Sequence, residues 1–195
     1  MKLNRNGTVW GWSAALAALL GQAPLASAAS PVIINEVLAN NASFAEMSGN
    51  TPDWVEFYNA SDSAVTLVGL YLSTSTTDRQ KWAFREGVSI PARGYLVVYC
   101  DDKSAAGTLN TGFGLNAGGD SLYLFDASGN VVDSVTFGMQ AVDHSIGRVP
   151  SAGSTWGLCE PTAGVVNTAA TVGSQAKLRI NEWMASNQST IAEPT

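Results

Sequence analysis

The sequence has little charge, one histidine and two cysteines. Only 13% of its 195 residues are charged, and 16 Asp and Glu outnumber 10 Lys and Arg, which gives a formal net charge of -6. Clustered cations hold phosphate backbones and anionic lipid surfaces, so this balance argues against nucleic-acid partners and against docking on a membrane surface. So few His and Cys residues also exclude a typical zinc site.

Long apolar runs are confined to the first residues of the chain. Lys2 and Arg5 precede an apolar run over residues 9–21, and Ala26 and Ala28 supply the small residues of a cleavage site. The run is shorter than the roughly 18 residues that a membrane helix needs. This layout predicts a secretory signal peptide over residues 1–28, the alternative being a buried N-terminal helix. We therefore expect a secreted or cell-surface protein with no membrane span after cleavage.

If the protein is exported, its two cysteines can be interpreted in two ways. An oxidising compartment permits one disulfide between Cys100 and Cys159, and closing that loop would stabilise the fold by about 4 kcal/mol. The alternative is a pair of buried free thiols that pack as small apolar side chains. Both interpretations stay open, because the sequence does not show whether the two Cα atoms lie close together.

Helical periodicity is missing beyond the signal segment, and short alternating stretches take its place. In residues 53–59 (DWVEFYN), alternation puts Trp54 and Glu56 on one face of a strand. In residues 32–38 the same rule puts Ile34 and Glu36 on one face. Both patterns are typical of strands with a buried face.

Two further stretches indicate how such strands are arranged. Residues 95–100 are almost continuously apolar, which predicts a central strand. Residues 121–126 and 131–137 alternate around a turn with Gly and Asn, which predicts a hairpin. Short strands at close spacing predict an all-β antiparallel sandwich over residues 30–168, followed by a linker over residues 169–177.

An internal repeat begins near the end of the sequence. Residues 180–187 (INEWMASN) echo residues 34–41 (INEVLANN). A single strand cannot fold by itself, so residues 178–195 are predicted to be the start of a truncated second module in a longer tandem protein. Chance similarity between two apolar strands is the alternative.

Several motifs together resemble the lamin-tail domain as found in secreted bacterial proteins. They are residues 34–37 (INEV), 53–59 (DWVEFYN), 69–73 (GLYLS), 82–84 (WAF), 90–98 (IPARGYLVV), 120–124 (DSLYL), 129–135 (GNVVDSV) and 145–148 (SIGR). The resemblance implies an immunoglobulin-like antiparallel β-sandwich. It also implies a non-catalytic module for adhesion, tethering or substrate recognition, with a protein or polysaccharide at the cell surface as partner. It supplies no catalytic, cofactor-binding or metal-binding residues.

Two alternatives stand beside that function. The chain could be the accessory region of an extracellular hydrolase, nuclease or spore-coat-kinase-like enzyme whose catalytic domain lies beyond residue 195. It could also be a Ca²⁺-dependent carbohydrate-binding domain. For the residues present, we expect no enzyme activity and no cofactor, with Ca²⁺ as the one ion considered.

Carboxylates are the main candidates for chemistry. Glu36 and Glu56 on neighbouring strands could form the acid/base pair of a glycosidase, or bind Ca²⁺ together with Asp53. The interpretation we favour is structural: buried carboxylates that accept N–H hydrogen bonds and hold the strand register. Asp101 and Asp102 could also help to bind Ca²⁺, although a solvated turn is the interpretation we favour.

Other motifs carry weaker signals. His144 stands between Asp143 and Ser145, but neighbours on an extended chain point apart, so these three cannot form a triad. Residues 112–117 (GFGLNA) match a dinucleotide fingerprint in the wrong context, since a strand follows. The tryptophans of the predicted domain could stack on sugars, although filling the sandwich core is the interpretation we favour; they are Trp54, Trp82 and Trp156.

Overall fold

A computed structural model of the chain describes residues 30–44 and 49–173. These residues form short β-strands, and none of them is helical. No helix long and apolar enough to cross a membrane is found in this part of the chain. The predicted signal peptide and the predicted start of a second module lie outside the described residues.

The strands follow one another with short connections, as the alternating patterns predict. In chain order they are β1 (Val32–Leu38), β2 (Asp53–Asn59), β3 (Val65–Thr66), β4 (Tyr71–Ser73), β5 (Trp82–Ala83), β6 (Ser89–Ile90), β7 (Tyr95–Cys100), β8 (Gly119–Phe125), β9 (Val131–Gly138), β10 (Ser145–Arg148), β11 (Trp156–Glu160) and β12 (Thr168–Ala169).

Two antiparallel sheets pack face to face. The larger sheet has the order β12-β11-β10-β1-β2-β7, and the smaller sheet has the order β5-β4-β8-β9. A separate two-stranded ladder joins β3 and β6. The predicted hairpin is confirmed as β8 and β9, which pair from Gly119–Gly138 to Phe125–Val131. The all-β antiparallel sandwich predicted from the sequence is therefore confirmed at the level of architecture.

The core lies between the two sheets and is almost entirely apolar. Phe57 of the larger sheet contacts Phe84 edge-on with ring centroids 5.3 Å apart, and Phe84 contacts Trp82 at 4.7 Å. Leu122 and Leu124 of the smaller sheet are fully buried opposite them. Full burial of each such side chain contributes about 1.5–3 kcal/mol, so this layer stabilises the packing of the two sheets.

A β-bulge in β1 corrects the predicted strand faces. The register passes from Ile34 opposite Phe57 to Glu36 opposite Glu56, so no residue of β2 lies opposite Asn35 in the strand register. One extra residue reverses the alternation, so Ile34 and Val37 both face the core while Glu36 faces outward. The prediction that Ile34 and Glu36 share a face is therefore wrong.

The predicted central strand lies instead at an edge. β7 ends the larger sheet, beyond β2. Its outer side is covered by a loop, because the N–H of Tyr99 donates to Leu109 and the N–H of Thr111 donates to the carbonyl of Tyr99. A covered edge is protected from pairing with other chains, so it tolerates the apolar sequence that suggested a central position.

Candidate functional site

The two candidate catalytic carboxylates meet on the outer face of the larger sheet. Glu36 on β1 lies directly opposite Glu56 on β2, and both residues are 0% exposed. The bulge at Asn35 is what turns Glu36 to this face. The chain after β11 crosses over the pair, so the carboxylates are sealed from solvent on a face that a sandwich usually leaves open.

Hydroxyl and backbone donors satisfy Glu36. The Ser145 hydroxyl on β10 donates to Oε1, as does the Thr162 N–H at 3.0 Å. The Thr162 hydroxyl donates to Oε2 at 2.8 Å. Glu36 therefore joins β1 to β10 and to the turn that follows β11.

Amide donors satisfy Glu56. The Asn35 side chain donates to Oε1 at 2.9 Å, and the N–H of Gly164 donates to Oε2. Asn167 continues the network, because its amide nitrogen donates to the carbonyls of Asn35 and Arg148, both at 2.9 Å. We call this network the carboxylate cluster; its members are Asn35, Glu36, Glu56, Ser145, Thr162, Gly164 and Asn167.

Burial shifts the acidity of both carboxyl groups. Removal from water raises the pKa of Glu36 above its usual value, against the hydrogen bonds from Ser145 and Thr162. The same cause raises the pKa of Glu56 to about 7, and the nearby charge of Glu36 adds to the rise. Both shifts raise the pH at which the carboxyl groups lose their protons, relative to carboxyl groups in water.

The hydrogen bonds and the burial of the carboxylate cluster suit a structural role rather than a catalytic one. A general acid or base must reach a substrate proton, directly or through one water, and these oxygens are fully enclosed. Among the described residues, no buried side-chain nitrogen or oxygen lacks a hydrogen-bond partner. The arrangement therefore supports the structural interpretation, with Gly164 and Thr162 as the backbone donors.

Several members of the cluster were missed by reasoning from the sequence. Thr162, Gly164 and Asn167 lie in connecting segments that show no alternation, and their contacts with β1 or β2 span more than 100 residues. Ser145 lies within one of the motifs noted above, but its role depends on the bulge in β1. One indication of such partners was available in the sequence: a buried carboxylate needs hydrogen-bond donors, so donors had to lie near Glu36 and Glu56.

The histidine and its neighbours do not form a triad. His144 lies in the turn before β10, where its Nδ1 is 3.0 Å from the carbonyl oxygen of Val142. The Ser145 hydroxyl donates to Glu36, and Asp143 accepts from the N–H of Ala42. The three side chains thus point to different partners, as the alternation predicts.

The other acidic candidates gather at one end of the larger sheet. Asp53 begins β2 and Asp101 and Asp102 follow β7, and they line a cavity of about 230 Å³. Burial raises the pKa of Asp53, whereas the Ser104 hydroxyl lowers that of Asp101. Asp53 and Asp101 already accept protein donors, since Asp53 accepts from the N–H of Leu115 at 3.3 Å and Asp101 accepts from the N–H of Lys103 at 2.9 Å. No group of three metal-binding side chains occurs within residues 30–44 and 49–173.

The disulfide interpretation is not realised in the structure. Cys100 and Cys159 are both buried free thiols. They lie on β7 and β11, which are four strand spacings apart in the larger sheet, about 19 Å. A disulfide needs Cα atoms within about 7 Å, so the sheet order itself keeps the two sulfurs apart.

The remaining sequence candidates take structural positions. Trp82 belongs to the core and Trp54 is buried on the outer face of β2, whereas Trp156 is partly exposed beneath Arg148. Residues 112–117 form a loop that leads into strand β8. A dinucleotide phosphate binds at the N-terminus of a helix, but in the described residues this loop is followed by a strand.

The smaller sheet carries an open groove on its outer face. Its volume is about 540 Å³, and hydroxyl groups dominate its lining; the lining residues are Thr74, Ser75, Thr76, Gly119, Asp120, Ser121, Tyr123, Thr136 and Phe137. We call it the hydroxyl groove. Ser121 and Thr136 share a hydrogen bond of 2.8 Å across β8 and β9. The groove therefore presents hydrogen-bonding groups around the partly exposed side chain of Tyr123.

Comparison with known proteins identifies a family. No curated protein matches the sequence. The family model Lamin Tail Domain matches residues 26–139, which is more than half of the chain. The match covers β1 to β9, while β10 to β12 lie beyond it and complete the same larger sheet. The chain therefore belongs to the Lamin Tail Domain family.

Proposed function

We propose that this chain is a secreted or cell-surface module that binds, tethers or recognises a partner without catalysis. One observation carries the proposal: the carboxylate pair Glu36 and Glu56 is enclosed and occupied by protein donors, whereas the accessible surface of the described residues offers an open groove. The family supports it, because the Lamin Tail Domain is an immunoglobulin-like domain family compatible with a non-catalytic role.

An activity comparison tests the non-catalytic part. The chain and its Glu56→Gln variant are assayed on a panel of polysaccharides and on a phosphodiester. We expect no turnover above background from either protein. Hydrolysis by the chain that disappears in the variant would overturn the proposal, because Gln keeps the shape of Glu56 but cannot transfer a proton.

A binding experiment tests the recognition part. The labelled chain is incubated with surface polysaccharide and surface protein extracted from its own producing cells, and bound label is measured. We expect saturable binding to one fraction, weakened about tenfold by Tyr123→Ala in the hydroxyl groove. Absence of binding to both fractions would count against recognition at the cell surface.

A second candidate is a carbohydrate-binding domain that uses Ca²⁺, and the hydroxyl groove favours only its carbohydrate part. It predicts a rise in melting temperature with Ca²⁺ or with a member of a glycan panel, since a ligand that binds only the folded state stabilises it. The remaining alternative is an accessory region of an extracellular enzyme. Sequencing the gene downstream of residue 195 tests it, because this alternative predicts a catalytic domain there.

A further inference from the structure

The hydroxyl groove has an aromatic ring as one of its walls. Leu122 and Leu124 of β8 lie in the core, so alternation puts Ser121, Tyr123 and Phe125 on the outer face. Phe125 is 1% exposed, and its ring stacks on that of Tyr123 with centroids 5.8 Å apart and planes inclined by 24°. Phe125 therefore covers one face of the Tyr123 ring. The groove lies on the Ser121 side of Tyr123, where the second face of the ring borders it.

Contacts behind this ring hold it in position. The Arg79 guanidinium lies over the Phe125 ring, 5.8 Å from its centroid. Its Nε donates to the carbonyl of Thr76 and its Nη1 donates to the carbonyl of Gly129, both at 2.9 Å. Arg79 thus joins the loop after β4, which forms another wall of the groove, to the turn between β8 and β9. Walls that are fixed before a ligand arrives lower the entropy cost of binding.

Small hydroxyl side chains lie beside the ring. Ser121 and Thr136 are opposite each other on β8 and β9 and share a hydrogen bond of 2.8 Å. A hydroxyl can donate one hydrogen bond and accept two, so this single bond leaves both side chains able to bind a ligand. The groove therefore combines an apolar ring face with neighbouring groups that can both donate and accept.

The charges around the groove disfavour an anionic ligand. Among the described residues that line it, Asp120 alone is charged. Its two carboxylate oxygens accept the backbone N–H groups of Asn116 at 3.2 Å and Ser121 at 2.8 Å. The Lys81 ammonium lies outside the lining and donates to the Thr74 hydroxyl at 3.0 Å. An anion would meet Asp120 with no cation facing it, and the net charge of -6 adds to the repulsion.

We propose that the hydroxyl groove binds a neutral glycan, with one sugar ring stacked on Tyr123 and its hydroxyls bonded to Ser121 and Thr136. This inference rests on the proposed recognition function and names the class of its ligand. A pyranose ring has an apolar C–H face and a rim of hydroxyls, so it complements both kinds of surface in the groove. The groove volume of about 540 Å³ lies within the range of about 300–1,000 Å³ of small-molecule sites.

The same lining makes the proposed binding independent of Ca²⁺. A Ca²⁺ ion takes about 6–8 oxygen ligands, among them several carboxylates in its tight sites. The described lining offers the single carboxylate of Asp120, which already accepts two protein donors. The glycan is therefore held by stacking and by hydroxyl hydrogen bonds, and a chelator should not release it.

Oligosaccharide binding by the full chain tests the ligand class. Cellohexaose, xylohexaose, mannohexaose and chitohexaose are the neutral probes, and hexagalacturonate is the anionic one. NMR titration of the isotope-labelled chain in EDTA measures the dissociation constants. We expect at least one neutral probe to bind with a dissociation constant below about 1 mM, and hexagalacturonate to bind at least about tenfold more weakly than that probe.

Variants of the groove test the site. Tyr123→Ala removes the stacking ring and should weaken binding of the neutral probe at least about tenfold, whereas Tyr123→Phe keeps the ring and should weaken it less than about threefold. Tyr95→Ala is the matched control, because Tyr95 is a half-buried tyrosine that packs on Tyr58 at 5.0 Å in the other sheet. Thr136→Val leaves the ring intact and should weaken binding about threefold, which keeps the test decisive if Tyr123→Ala does not fold.

The outcomes separate this inference from the function on which it rests. Equal binding of a neutral probe by the parent and the groove variants would overturn the site. Binding that requires Ca²⁺, or no binding of any neutral probe, would overturn the ligand class. In each of these cases, saturable binding of the chain to a surface polysaccharide or surface protein fraction would leave recognition itself intact.

Discussion

The outer faces of the two sheets differ in what covers them and in what they do with polar groups. On the larger sheet a connecting segment closes over Glu36 and Glu56 and supplies their donors. On the smaller sheet the hydroxyls of Thr136 and Ser121 stay accessible in an open groove. The same sandwich thus encloses the polar groups of one face and leaves those of the other face accessible.

The difference follows from the cost of desolvation. A carboxyl group removed from water destabilises the fold unless donors replace the lost hydration, and every carboxyl oxygen of Glu36 and Glu56 accepts at least one such hydrogen bond. When a hydroxyl at the surface loses its hydrogen bond to a protein group, water replaces that bond, so the fold loses little free energy. Substitutions should therefore have large effects in the cluster and small ones in the hydroxyl groove.

The largest expected effect is that of Glu36→Ala. It leaves the N–H and the hydroxyl of Thr162 and the hydroxyl of Ser145 without their acceptor, and we expect the free energy of unfolding to fall by about 4 kcal/mol. Urea denaturation measures it. Thr76→Ala in the hydroxyl groove is the control and should change the value by less than about 0.5 kcal/mol. Equal losses of unfolding free energy in the two variants would contradict the proposed difference between the two outer faces.

The pH dependence of stability should show the next effect. Burial raises the pKa of Glu56 from 4.5 to about 7, so the folded state holds a proton that the unfolded state releases. The stability that this group confers is complete below about pH 4.5 and declines by about 3 kcal/mol as the pH rises to about 7.

The Glu56→Gln variant isolates this contribution. Gln does not titrate, so the difference in unfolding free energy between variant and parent should change across that pH window and stay level above it. Chemical denaturation at a series of pH values measures the difference. A difference that is constant from pH 4 to pH 8 would show that Glu56 is not protonated preferentially in the folded protein.

Gly147→Ala should have a smaller effect on the same face. A Cβ at Gly147 would lie 2.5 Å from the amide nitrogen of Asn167 and 3.1 Å from the sulfur of Cys159. We expect a loss of about 2 kcal/mol in thermal or urea unfolding, because the cluster must shift to make room. Gly157 is its partner on β11 and has open space around it, so Gly157→Ala is the matched control. Similar losses at both positions would argue against crowding by the cluster.

Thr136→Val should have the smallest effect. Val keeps the shape of Thr136 and suits a strand, and water can replace the hydrogen bond to Ser121. We expect a change below about 0.5 kcal/mol in urea denaturation, together with weaker binding of any ligand of the hydroxyl groove. A loss above about 2 kcal/mol would mean that the groove hydroxyls are structural, as the carboxylates of the other face are.

Local patterns predicted the strands better than their places in the sheets. The β8–β9 hairpin follows from alternation and a Gly/Asn turn, both of which act within a few residues. The edge position of β7 depends on a loop that covers it, and the outward turn of Glu36 depends on a bulge. Neither the covering loop nor the bulge leaves a periodic signal.

The candidate site shows the same limit. The sequence indicated that Glu36 and Glu56 lie on neighbouring strands and that buried carboxylates need donors. It did not identify Thr162, Gly164 or Asn167 as partners, because residues in irregular segments meet the sheet only after the chain has folded.

By itself, the sequence determined the class of fold and the position of most strands, because alternation between apolar and polar residues is a property of each short segment. It also determined the acidic net charge, since charge is set by composition. Only the tertiary structure decided that Glu36 and Glu56 are enclosed and that Cys100 and Cys159 stay apart. These outcomes depend on strand order and on long-range contacts, which no single segment of the chain contains.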